Sequence, residues 1–262
     1  MTVFDPRYED VDFRKEPEYT FGAIETSCLD GWVAPCYEAT FGVLSESELR
    51  EAAEDQAANG GIDDYVQRIF DQSREGACVG NAAAQGMEAS LAKLRGVDDY
   101  YPLSAMSLYK QIGRSAQSGA VVSDSLEALQ TTGLLPLDTP ENRARFGDHV
   151  MPNIGFDTPF PSGWKDTASL TKILEANVLR SVSGILTSLA RQQPVIVGRE
   201  GHSICYVRLV FDNVWKVIYV NSWRENWGFA LGKFSGGFGI DTMRQIEKSA
   251  SWAYSIRSIC AA

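Results

Sequence analysis

Histidine is almost missing from this sequence: 262 residues contain two, His149 and His202. A zinc cluster built from Cys and His ligands is hard to assemble from so few, and no metal-ligand spacing is visible. Cysteine is sparse and odd in number, with Cys28, Cys36, Cys78, Cys205 and Cys260 spread along the chain. A chain of this length can bury its own core, so a disulfide framework is not expected, although the pairing of Cys28 with Cys36 stays open. Positive charge is in deficit, 24 Lys and Arg against 34 Asp and Glu, for a net charge of −10. That balance argues against nucleic acid or an anionic membrane as the main partner.

No apolar run approaches the roughly 18 residues that a membrane helix needs. The N-terminal residues lack a basic start followed by an apolar stretch, so no conventional secretory signal is visible. Location is therefore unsettled, with a cytoplasmic or particle-associated site favoured. Internal repeats, low-complexity segments and a phosphate-cradling glycine loop are all missing.

What is there divides by period. "SESELREAAEDQAA" (45–58) reads as a helix with Ser45 or Ser47 as N-cap and Asn59-Gly60-Gly61 as its stop. A short extended piece, "DYVQRIF", follows. A helix is expected from about Cys78 to Gly96, a second at "PLSAMSLYKQIG" capped by Ser104, and a third at "SDSLEALQTTG" capped by Ser123 or Asp124. Residues 135–164, rich in Pro, Asp, Asn and Gly, read as a connection between lobes, and residues 167–192 as one or two helices. From Pro194 the pattern turns β-branched and aromatic in "PVIVG", "SICYVRLVF" and "VWKVIYVNSW", with a hairpin turn near Asp212-Asn213. Helices first and strands second imply an α+β protein of two packed lobes.

Cys78 opens a helix, a position that favours the thiolate. A thiol nucleophile needs a base to take its proton and a third group to orient that base. His202 stands at the mouth of one apolar strand and Asn221 at the end of the next, so a hairpin would bring both to one sheet edge. Gln72, six residues before Cys78, can donate its amide to a developing oxyanion together with the backbone N–H of Cys78.

"QSREGAC", "GHSI" and "NSWRENWG", taken together, resemble the papain-like cysteine peptidases. In that family the His and Asn follow the nucleophile by roughly 130–150 residues. Here the intervals are 124 and 143, and the order Gln, Cys, His, Asn is kept. "PLSAMSLYKQ", "SGAVVSDSLEALQTTGLLP" (in the form of bacterial members), "QQPVIVG" and "GGFGI" are similar to further family motifs.

The resemblance implies a papain-like two-lobe fold and a cysteine endopeptidase acting on polypeptides without a cofactor. Cys78, His202, Asn221 and Gln72 would be its catalytic groups, and Gly119, Ala120, Gly201 and Trp223 would line the substrate cleft. It also implies one peptidase domain over 1–262. Residues 71–138 would form a helical lobe and 139–262 a β-rich lobe, while 1–70 would be an inhibitory pro-segment or, the favoured alternative, an integral extension. The chain departs from the family at Glu75, where secreted members carry a disulfide cysteine, and at Val79, where an aromatic residue is usual. A non-catalytic binding scaffold and a related thiol amidase or acyltransferase are the alternative readings. Substrate preference and oligomeric state are not encoded in any visible motif.

Overall fold

The computed structural model describes residues 5–15, 22–24 and 33–261. Cys28 lies outside the described residues; Cys36, Cys78, Cys205 and Cys260 are free thiols, so the pairing of Cys36 left open by the sequence is not formed.

Nine α-helices among the described residues are α1 (Tyr37–Phe41), α2 (Glu46–Asn59), α3 (Cys78–Arg95), α4 (Ala105–Ile112), α5 (Val122–Thr131), α6 (Pro140–Phe146), α7 (Trp164–Ala168), α8 (Val182–Ala190) and α9 (Met243–Ser249). A short parallel pair is formed by β1 (Ala23–Ile24) and β2 (Ala120–Val121). The main sheet contains β3 (Thr171–Leu179), β4 (Val195–Arg199), β5 (His202–Asp212), β6 (Val214–Val220), β7 (Phe229–Leu231), β8 (Phe234–Thr242) and β9 (Ala253–Ala261). Its order is β3-β9-β4-β5-β6-β8-β7, antiparallel throughout. The chain therefore has an α+β architecture of helices packed on one antiparallel sheet.

Local chemistry explains many boundaries. Ser45 and Glu48 form a reciprocal capping box at the start of α2, and Gly60 ends that helix. Ser104 caps α4 by accepting from the Ser107 amide. Asn213 takes a left-handed φ of 57° in the β5–β6 hairpin. Other boundaries differ from the sequence expectation. The helix at α5 starts at Val122 with no side-chain cap, ahead of Ser123 and Asp124. The connection at 135–164 contains α6, begun by Thr139 as cap and Pro140 in the first turn. Residues 171–179 are strand, because β9 supplies a full antiparallel partner. Part of "DYVQRIF" is a 3-10 turn ending at Tyr65.

The sheet is buried on both faces, and its strands show it by alternation. Ile196, Cys205, Val207, Ile218 and Val220 pack with α3, α4 and α5 in one core. Their neighbours Val195, Val197, Ile204, Tyr206, Val217 and Tyr219 pack with α2, α8 and α9 in another. The first core fixes the start of α3 and the second fixes the ends of β5 and β6. The site lies where these two meet. No helix among the described residues is long and apolar enough to cross a membrane.

Candidate active site

Cys78 is the first residue of α3, and its N-cap, Ala77, makes no side-chain cap. The first-turn amides of the helix thus have no capping oxygen and leave positive potential at the thiol. Amides of Ser203, Gly22 and Val79 also lie close enough to favour a thiolate, yet complete burial outweighs them and pushes the thiol up to about 12. Glu75 does not hang free near this helix start: its Oε1 accepts from the Gly155 and Phe156 amides at 3.1 and 3.0 Å. Val79 is wholly buried in the core behind the thiol.

His202 opens β5, directly across the ladder from Arg199 in β4. Its Nε2 lies 2.8 Å from Asn221 Oδ1. The Ser222 amide donates to the same oxygen at 2.8 Å, which identifies that atom as an acceptor. His202 therefore carries its proton on Nε2 and leaves Nδ1 as the basic nitrogen. That Nδ1 is buried and, among the described residues, without a hydrogen-bond partner. Burial, helped by the Arg199 charge and opposed by the Asn221 bond, lowers the imidazole to about 3. In this state the sulfur and the ring are both neutral.

Asn221 follows the last residue of β6, and its amide donates to Gly237 O at 2.9 Å. Trp223 is fully buried with its ring 4.4 Å from that of His202, tilted by 31°. Gln72 is tied to the same turn: its amide donates to Ser222 O at 3.0 Å, and Ser222 Oγ donates to Gln72 Oε1 at 2.7 Å. Gln72 Nε2 donates to Glu75 O at 3.0 Å, so the carboxamide bridges the Asn221 turn and the loop leading to Cys78.

Gly119, Ala120 and Gly201 border the same place, and the chain itself fills it. The amides of Gly22 and Ala23 donate to Gly201 O at 3.0 and 2.8 Å, and the Ala120 amide donates to Gly22 O at 2.6 Å. Residues 22–24 thus form a strap between the Gly119 segment and the His202 turn. Its direction is parallel to β2. The passage is narrow: a Cβ on Gly22 would collide with the Gly76 carbonyl oxygen. Gly119, at φ 69°, needs a left-handed conformation, and a Cβ there would collide with Gly22 O. Trp223 packs its ring against that of His202.

Three neighbours of the site went unannounced by sequence reasoning. Phe13 is completely buried with its ring 4.7 Å from His202. Ser222 holds both Gln72 and Asn221. A buried Arg199–Asp241 ion pair underlies the site, with Tyr206 Oη donating to Asp241 at 2.7 Å. The Asn-Ser-Trp run was the available signal for Ser222, and no local pattern marks the other two.

No family model and no curated protein sequence matches this chain. Solved structures do. Xylellain, a cysteine protease from Xylella fastidiosa, is similar with a TM-score of 0.53 and 17% identity, covering 74% of this chain and 83% of its own. ProCathepsin B S9 from Trypanosoma congolense gives 0.59 and 13%, covering 94% and 88%. Digestive procathepsin L2 from Tenebrio molitor larval midgut gives 0.65 and 11%, covering 94% and 80%.

Proposed function

We propose that this chain, with its papain-like fold, is a latent cysteine endopeptidase of the bacterial type whose N-terminal extension closes its own cleft. The observation that carries the reading is the His202 Nε2–Asn221 Oδ1 bond, which leaves Nδ1 unpartnered at the mouth of β5, where the Ser203 amide reaches Cys78. Hydrolysis begins when an extended polypeptide replaces residues 22–24. The strap is held to Ala120 and Gly201 by backbone groups, which any peptide carries. Its loss admits water, lifts the burial that keeps the pair neutral, and lets the Cys78 proton move to His202 Nδ1.

The thiolate then attacks the scissile carbonyl carbon, and the carbonyl electron pair moves to oxygen. The Cys78 amide and Gln72 Nε2 stabilise that oxyanion. His202 gives its proton to the leaving amine, the C–N bond breaks, and a thioester remains on Cys78. Water, deprotonated by His202, attacks the thioester and restores the thiol. Asn221 keeps the ring in the required tautomer, and Trp223 covers that bond against water. Residues 22–24 run parallel to β2, so the strap behaves as an inhibitory pro-segment. The proforms of cathepsins among the similar structures support that reading.

A second reading is favoured by one observation: Cys78 is fully buried and neutral here, as in a scaffold used only for binding. Peptide hydrolysis separates the two. With Gly22→Val, which crowds the strap against Gly76, the peptidase is expected to cleave unstructured polypeptides, and Gly22→Val combined with Cys78→Ala is expected to do nothing. A folded Gly22→Val protein that cleaves no peptide while binding one would establish the scaffold reading. Cleavage of cell-wall peptides alone would instead point to a thiol amidase.

A further inference from the structure

Among the described residues, two stretches of the N-terminal extension meet the site, 8–14 and 22–24, and the second lies in the cleft. Residues 8–14 lie on the β-rich side, behind His202. The Asp10 amide donates to Ile240 O at 3.0 Å, and Asp10 accepts from the Thr242 amide at 2.8 Å and from Thr242 Oγ1 at 2.5 Å. Lys216 reaches Glu9 at 3.1 Å, and Tyr8 packs edge-on to Trp227 at 5.4 Å. This seat delivers Phe13 into a closed aromatic cage. Its ring meets His202 at 4.7 Å and 71°, Trp223 at 5.4 Å and 82°, and Tyr219 at 6.0 Å and 83°. On its other side the Arg199 guanidinium lies 4.6 Å from the ring centroid.

We infer that Phe13 is a positioning residue for His202: together with Trp223 it clamps the imidazole and keeps water from the Asn221 bond, so residues 8–14 belong to the working site and not to the inhibitory strap. The inference rests on reading His202 as the acid–base of the reaction. Three constraints fix an imidazole: Asn221 holds one nitrogen, Trp223 covers it at a tilt, and Phe13 abuts it from a further side. Without Phe13 the ring gains a void into which it can turn or water can enter. The other charged or titratable groups facing this place are Arg199 from β4, with its partner Asp241 from β8, Tyr219 from β6 and Cys78 from α3. Arg199 is held by Asp241 and by Val11 O as well as by the Phe13 ring.

The test uses the full chain carrying Phe13→Ala or Phe13→Leu. With two histidines in the sequence, His149→Gln identifies the His202 ring signal in a proton NMR spectrum. In the unsubstituted protein the His202 signal is expected to be sharp and not to titrate between pH 7 and 5. In Phe13→Ala it is expected to broaden and to titrate toward its ordinary value near 6.5. Phe13→Leu, which fills most of the space but lacks the ring, is expected to fall between and decides the matter if the Ala variant does not fold. In the Gly22→Val background the same changes should lower kcat by roughly 10- to 100-fold, with KM within about 2-fold, as expected for a misplaced acid–base group. An unchanged His202 signal and titration in the folded Leu variant would overturn the inference whether or not the protein cleaves peptides. Absence of peptide cleavage by the Gly22→Val parent with the NMR result as expected would instead remove the peptidase reading and leave the clamp standing.

Discussion

Residues 8–14 and 22–24 belong to one N-terminal extension, yet they are held by different chemistry. The first part has one backbone bond, from the Asp10 amide to Ile240 O, and is otherwise fastened through side chains: Asp10 to Thr242, Glu9 to Lys216, Tyr8 to Trp227 and Phe13 in its cage. The second is fastened by backbone hydrogen bonds to Gly201 and Ala120, with a glycine at its tightest point. Side-chain seats are specific to this chain. Backbone ladders are generic, and another extended peptide can form them equally well. On the proposed reading, the difference separates a part that stays from a part that can be exchanged for substrate.

The strongest effect is expected at the nucleophile that the strap covers. In the Gly22→Val background, Cys78→Ala is expected to reduce peptide hydrolysis at least about 10⁴-fold, as loss of a nucleophile does elsewhere, while leaving residues 8–14 in place. Progress curves with a fluorogenic peptide measure it, and residual turnover within tenfold of the parent would remove Cys78 from the role. Next in size is the strap itself. Overpacking of the kind that Gly22→Val imposes costs about 1–3 kcal/mol, or roughly 5- to 150-fold in the population of the open cleft. Initial rates of Gly22→Val against the unsubstituted protein should show that rise, and equal rates would mean the strap does not limit access.

A third prediction concerns pH. The folded His202 sits at about 3, below the ordinary imidazole value of 6.5. Below pH 6.5 the unfolded chain takes up a proton that the buried ring refuses, so this residue's contribution is full above 6.5 and is lost as pH falls toward 3. The loss is on the order of a few kcal/mol across that window. Thermal melts should therefore show the unsubstituted protein losing Tm more steeply than His202→Gln between pH 6.5 and 4. Parallel slopes would mean the ring is not held neutral. A last, smaller effect is expected on Tm from Asp10→Ala, which removes two hydrogen bonds from the fastened part. A cost of about 1–3 kcal/mol corresponds to a Tm lower by several degrees, whereas Gly22→Val should move Tm less, because only the strap leaves. Equal shifts from the two variants would erase the distinction between the parts.

What could be read from the sequence follows the range of the interactions. The capping box of Ser45 and Glu48, the Ser104 cap and the Asp212-Asn213 hairpin are decided within a few residues, and they stand where local chemistry puts them. Cys78, His202 and Asn221 each lie at the end of an element, which is why their order and spacing carried information. Residues 171–179 are a strand because β9, more than 70 residues later, pairs with them, and no window around Leu174 contains that fact. Phe13 meets His202, and Gly22 meets Gly201 and Ala120, from far away along the chain. Neither has a periodicity or a cap to announce it. The contacts of Phe13 and Gly22 were therefore not legible in the sequence.

In the proposed reading, function and latency both turn on a reactive thiol that residues 22–24 keep shut away. Site-resolved alkylation by iodoacetamide at pH 7, read by mass spectrometry for the unsubstituted protein and for Gly22→Val, reports on that thiol itself. In the unsubstituted protein Cys78 should react as slowly as the core thiol Cys205, and in Gly22→Val it should outpace the exposed Cys260 by at least about tenfold, consistent with a lowered thiol pKa. A Cys78 that stays as slow as Cys205 in the folded variant, or that already outpaces Cys260 before the strap is disturbed, would show that no such closed reactive site exists.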